Sequence, residues 1–190
     1  MKDKIIFYAD WLPLDKKEFR ILAMLADKGV FIGNLSDICR YFGLTTTSQT
    51  RKKLRNSINL LQSQHFIKAN LKGRTYNLSL IPKESKIEIP QKWYEALLSH
   101  SYDADSVAWE MVLKTLLWVL RYSDNGEQVL TNEWIASELN TSVSTICSAK
   151  NVLEKDFEAI VRERVSIKLS EDHYMNIGQK ITPCAWWDFQ

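Results

Sequence analysis

The sequence predicts a mostly α chain with small β-hairpins, an α+β fold laid out twice in tandem. Three observations carry this. Apolar residues recur at spacings of three and four as far as His65, then alternate with a period of two to Leu80. A similar order of helical and alternating segments returns after about residue 105. The charge also divides. Residues 1–85 carry 15 basic and 7 acidic side chains, residues 86–190 carry 10 and 16, so the overall +2 averages a net +8 and a net −6.

Lys4 to Tyr8 reads as a short strand. Asp15 is placed to cap a helix, with Glu18 three residues on to reach back. Phe19, Leu22, Ala23 and Ala26 continue that helix at core spacing, and Gly29 sits at its end. A second helix starts at Ser36, presents Ile38, Cys39 and Phe42, and stops at Gly43. Thr46 or Thr47 caps a third, whose stripe is Leu54, Ile58 and Leu61. Residues 66–71 and 75–80 then alternate around Lys72-Gly73-Arg74, a hairpin with a basic tip.

The second half begins with a polar connector, residues 81–89, closed by Pro90. A short helix over 91–101 carries Trp93, Leu97 and Leu98. Asp105 or Ser106 caps a long helix through Trp109, Val112, Leu113, Leu116, Leu117 and Leu120, ending near Asn125-Gly126. Thr131 caps the next helix, which turns at Asn140, and Ser142 opens another that runs through Ile146, Val152 and Leu153. Residues 159–169 and 173–181 form strands across Ser170-Glu171-Asp172. Ile38, Phe42 and Gly43 align with Ile135, Leu139 and Asn140 at a constant offset of 97. The repeat is one of plan, with little identity.

Helix, short helix, tight turn, longer helix and hairpin resemble the winged helix-turn-helix superfamily. The residues that carry the resemblance are Ile38 to Leu44, Ile58 to Leu61, and His65-Phe66-Ile67. One departure is the 18 residues from Gly43 to Leu61, an extended turn or a long third helix, against 13 from Asn140 to Leu153. The resemblance implies a tandem pair: an N-terminal winged-helix DNA-binding domain at 1–82, a connector with a short helix at 83–104, and a C-terminal winged-helix domain at 105–190 for dimerisation or partner binding. The tandem arrangement is similar to plasmid and phage replication initiators, and a transcription regulator would use the same parts. The alternative it implies is a protein-interaction module, like chromosome-condensation or replisome-loader accessory subunits.

Electrostatics favour double-stranded DNA as the partner. No Asp or Glu occurs over the 46 residues from Ile38 to Lys83, a stretch rich in Arg and Lys. A solvated surface normally mixes both signs, whereas a phosphate backbone rewards one. The expected contacts on the third helix are Thr47, Ser48, Gln49, Arg51, Lys52, Lys53 and Arg55, since Gln suits adenine edges and Arg guanine edges. Lys68, Lys72 and Arg74 are expected to contact DNA from the hairpin. In the second half Ser142, Ser144, Thr145, Ser148 and Lys150 form a weaker secondary set, because the adjacent acids would repel phosphate. Six of seven Trp lie there, and Trp186, Trp187 and Phe189 either fold back onto the domain or serve as the partner-binding residues. A homodimer through the second half is the natural companion.

Other classes are disfavoured. No apolar run reaches 18 residues, and the first ten residues are no secretory signal. Cys39, Cys147 and Cys184 are distant and outside any CxxC spacing, which favours a cytoplasmic chain with reduced thiols and no structural zinc. No nucleotide-binding, zinc-protease or hydrolase signature occurs, so no enzyme activity, metal or cofactor is expected.

Overall fold

A computed structural model describes residues 4–100, 107–123, 129–170 and 173–184. It is an α+β structure with seven α-helices and three small antiparallel sheets among the described residues. The expected cap at Asp105 or Ser106, the helix end at Asn125-Gly126, the tip residues Glu171 and Asp172, and Trp186, Trp187 and Phe189 lie outside the described residues.

The chain forms two compact units, and the division corrects the expected boundaries. Residues 15–84 form one unit, and residues 1–14 belong with 85–190 in the other. The cause is a pair of strands far apart in sequence. β1 (Lys4–Tyr8) runs antiparallel to β5 (Lys86–Pro90), with Ile5 opposite Ile89 and Phe7 opposite Ile87, all four buried. Much of the stretch read as a polar connector is therefore strand β5 of the second unit, and the expected short helix follows it as α4 (Gln91–Ser99). Residues 15–84 are an insertion in that host.

The inserted unit holds α1 (Lys16–Lys28), β2 (Val30–Gly33), α2 (Leu35–Tyr41), α3 (Ser48–Ser63), β3 (Ile67–Lys72) and β4 (Thr75–Leu80). Its core joins Phe19 and Leu22 of α1, Ile38 and Cys39 of α2, and Leu54, Ile58 and Leu61 of α3, all buried as their spacing requires. β2 was not foreseen. It pairs with β4, Phe31 opposite Leu78, and makes a three-stranded sheet in the order β2-β4-β3. Two caps also differ from expectation. Asp15 stands at the N-cap of α1, but its side chain makes no capping bond and Glu18 is buried. Helix α2 starts one residue early, at Leu35, because Asn34 and Asp37 form a reciprocal capping box. Thr47 caps α3 as one of the two expected candidates, accepting from the Thr50 N–H at 3.0 Å. Both alternatives for the long Gly43–Leu61 interval hold: the turn spans several residues and α3 has 16.

The host unit adds α5 (Trp109–Ser123), α6 (Asn132–Glu138), α7 (Val143–Lys155), β6 (Ile160–Ser170) and β7 (His173–Pro183). Trp11, Trp93, Tyr94 and Trp118 are fully buried in it, and Trp118 meets Trp134 edge-on at 5.3 Å. Lys114 is buried too, its Nζ donating to the carbonyls of Leu14 at 2.8 Å and Leu139 at 3.1 Å.

Local geometry repeats between the two units. Gly43 (φ 62°) and Asn140 (φ 50°) follow α2 and α6 in the left-handed region; His65 (φ 56°) and Glu158 (φ 48°) follow α3 and α7 in the same way. Ile81 donates to the Phe66 carbonyl and Cys184 to the Ala159 carbonyl, closing each hairpin at its base. The β2–β4 pairing has its counterpart in a bridge between Leu130 and Gln179. The buried stripe of α3 is Leu54, Ser57, Ile58 and Leu61; that of α7 is Ile146, Ala149, Lys150 and Leu153, with the same spacing.

Candidate nucleic-acid interface

The candidate interface lies in the inserted unit, where α3 and the β3–β4 hairpin wall a groove of about 890 Å³. Burying Leu54, Ser57, Ile58 and Leu61 turns the opposite face of α3 outward. That face supplies Ser48, Arg51, Lys52, Arg55 and Asn56 to one wall, and the hairpin supplies Leu71, Gly73, Arg74 and Tyr76 to the other. Asn34, Leu35 and Ser36 close one end. Gly73 has φ 61° at the first position of the two-residue turn, a conformation that side chains rarely adopt and that places Arg74 at the tip.

Five of the expected residues therefore share one groove: Ser48, Arg51, Lys52, Arg55 and Arg74. Five do not line it. Gln49 and Lys53 are exposed on α3 outside the groove, and the Thr47 hydroxyl is engaged at the N-cap and with the Thr50 hydroxyl at 2.9 Å. Lys68 and Lys72 alternate with buried Ile67 and so project from the other face of the hairpin. Lys72 lines a separate hollow with Ile32, Asn70 and Thr75.

The groove is electrostatically one-sided. Arg51, Lys52, Arg55 and Arg74 are exposed, and none has an ion pair among the described residues. Asp37, near the closed end, is already engaged by Arg40 at 3.1 Å and by the Asn34 N–H at 2.8 Å. Asn56 and Leu71 were missed from sequence. Asn56 is signalled by its distance of four from Lys52 on the outward face, and Leu71 by its distance of four from Ile67 on the strand.

The host unit's counterpart has different chemistry. Ser142 caps α7, and its hydroxyl bonds those of Ser144 at 2.9 Å and Thr145 at 2.8 Å, while Ser148 is exposed on the same helix. Lys150 is a correction. It was expected at a DNA surface, but it is 1% exposed and occupies the stripe position that Ile58 holds in α3. Its Nζ donates to Asn132 Oδ1, and to Gln179 Oε1 at 2.6 Å. Burial first, and the Arg162 guanidinium second, lower its pKa from 10.5 to about 8. Arg162 in turn pairs with Glu154 and bonds Asn151 Oδ1 at 2.9 Å, tying α7 to β6. The hydrogen bond from Arg162 chiefly holds the Glu154 carboxyl below its ordinary range.

Among the described residues no group of three or more His, Cys, Asp or Glu is placed to hold a metal ion, and no helix is long and apolar enough to cross a membrane. No protein-family model matches the chain, and no curated protein matches it either.

Proposed function

We propose that the chain is a sequence-specific double-stranded DNA-binding protein of the winged helix-turn-helix kind. In this reading α3 enters the major groove and the β3–β4 hairpin acts as the wing. The observation that carries it is the single groove in which Arg51, Lys52 and Arg55 of α3 face Arg74 of the hairpin tip. No acidic residue occurs from Ile38 to Lys83 to compete with phosphate there. Gln49, Lys53, Lys68 and Lys72 flank the groove and serve as outer phosphate contacts. Control of replication or transcription on a plasmid or phage is the biological role that goes with this reading.

Titrating labelled duplex DNA at several salt concentrations tests the reading. The expected result is tight binding at low salt that weakens log-linearly. Replacing Arg51 and Arg55 by Ala should flatten the slope by roughly 0.9 for each phosphate no longer neutralised. Binding that is absent at low salt, or indifferent to both substitutions, overturns the proposal. Selection from random duplex pools then distinguishes repeated direct copies, as at an origin, from one palindrome, as at a promoter.

A second reading belongs to the host unit. At the positions where α3 has Arg51, Lys52 and Arg55, α7 has the uncharged Val143, Ser144 and Cys147, and Arg162 is neutralised by Glu154. That chemistry supports a protein-facing role for residues 85–190, beside a DNA-facing insertion.

A further inference from the structure

We propose that the largely exposed face of the β6–β7 hairpin that carries Val161, Glu163 and Ile167 is the interface for a second copy of this chain. Each strand has 11 residues and so spans about 35 Å. The base is covered by buried Ile160 and Ile181, and Val129 and Leu130 lie against Gly178 midway along β7; every residue from Ser166 to Ser170 is exposed. Alternation puts Val161, Glu163, Val165 and Ile167 of β6 on one face, and the register adds Thr182, Lys180, Gly178 and Met175 of β7; the ladder shifts register after Val165 and again at Leu169, which has no cross-strand partner. Val161 is 51% exposed, Ile167 41% and Met175 46%. The other face is polar: Arg162 is tied to α7, and Lys168 lies 6.0 Å from the Tyr174 ring centroid. A two-stranded hairpin is marginal in water without a packed face, so an apolar strip on an otherwise polar ribbon needs a cover.

The charge pattern names the cover. Glu163 and Lys180 form one cross-strand row within the apolar strip; both are exposed, and neither has an ion partner among the described residues. A two-fold axis along the hairpin, between two facing copies, sets β6 of one against β7 of the other. Glu163 then opposes Lys180 of the second copy twice over, and Ile167 opposes Met175. A face with equal and opposite charges across an apolar strip is complementary to itself. Two such faces bury roughly 700 Å², below the standard interface, so the dimer is concentration-dependent rather than permanent. The pairing holds whether or not the inserted unit binds DNA.

Sedimentation equilibrium of the full chain, from low to high micromolar concentration without DNA, tests it. The parent should shift from monomer to dimer across that range. Ile167→Glu with Met175→Glu should weaken association by at least about tenfold while leaving the circular dichroism spectrum unchanged. Glu163→Lys and Lys180→Glu, each alone, should be monomeric, since each sets like charges face to face. Mixed in equal amounts, they should associate, because the two rows are now opposite in sign. This second pair decides the matter even where the apolar variant unfolds. A parent that stays monomeric throughout, a dimer indifferent to the apolar pair, or charge variants that fail to combine would overturn the assignment. Loss of the dimer on deleting residues 185–190 with the hairpin intact would overturn it in favour of the aromatic tail.

Discussion

Replacing Lys150 by methionine should remove a rise in stability on the alkaline side of neutrality. Lys150 titrates near 10.5 in an unfolded chain and near 8 in the folded host unit, where burial and then Arg162 disfavour its charge, while Cys147, Glu154 and Glu133 oppose that only in part. The unfolded chain therefore holds a proton that the folded chain has released, and stability climbs with pH between those two values. Below pH 8 both states are protonated and the burden of the buried ammonium is fully present. The shift corresponds to about 3 kcal/mol, recovered progressively as pH rises from 8 towards 10.5. In Lys150→Met the ammonium is gone, but Asn132 Oδ1 and Gln179 Oε1 lose a donor at about 1–3 kcal/mol each. At pH 7 these effects oppose, so the test lies in the slope. Urea unfolding followed by tryptophan fluorescence suits it, since all seven tryptophans fall in residues 1–14 and 85–190 and none in the inserted unit. Subtracting the variant from the parent at pH 7, 8, 9 and 10 cancels the other titrating groups. Parallel curves across that range would refute the reasoning.

Lys114→Met should lower host-unit stability by about 2–4 kcal/mol, because the carbonyls of Leu14 and Leu139 lose a charged donor; an unchanged urea midpoint would contradict this. Asn140→Ala should cost about 1 kcal/mol and Asn140→Gly should be neutral or slightly stabilising, as the left-handed φ of 50° demands, read from the same transition. Thr47→Ala should cost about 1 kcal/mol through removal of the N-cap of α3, seen in far-ultraviolet circular dichroism, whereas Gln49→Ala should leave the melt unchanged. Asn56→Ala should weaken binding to the selected duplex with little change in salt slope, since an amide in the groove contacts bases rather than releasing counterions.

What could be read from sequence was what local chemistry determines. The core stripe of α3, the caps Thr131 and Ser142, and both long hairpins follow from spacing and capping oxygens within a few residues of each other. β2 is a four-residue apolar run with no alternation of charge, and β5, although Ile87 and Ile89 alternate with Lys86 and Glu88, lies between Pro82 and Pro90 and reads as a linker; the partners of both are remote in sequence. The insertion was missed for the same reason. Of the groove, helical arithmetic found the basic face of α3, and the missing member Asn56 obeys the same arithmetic but carries no charge to draw notice. Lys150 was misplaced because a lysine is taken to be solvated by default; its apolar neighbours Ile146, Ala149 and Leu153 already marked it as facing inward.

The pairing of β1 with β5 sets an order of events during synthesis. Lys4 to Tyr8 leave the ribosome first, but their partner follows only some 80 residues later. At about 5–20 residues per second, that is a wait of roughly 4–16 s. The inserted unit is complete by Glu84, just before β5 begins, so all of its residues precede the partner of β1. The first strand meanwhile has an unpaired edge and buries neither Phe7 nor Trp11 by its native partners. A nascent chain whose residues to Glu84 have emerged while Lys86 to Pro90 are still inside the ribosome should therefore have a complete insertion and an unfinished host, a window in which a chaperone or a neighbouring nascent chain competes for that strand.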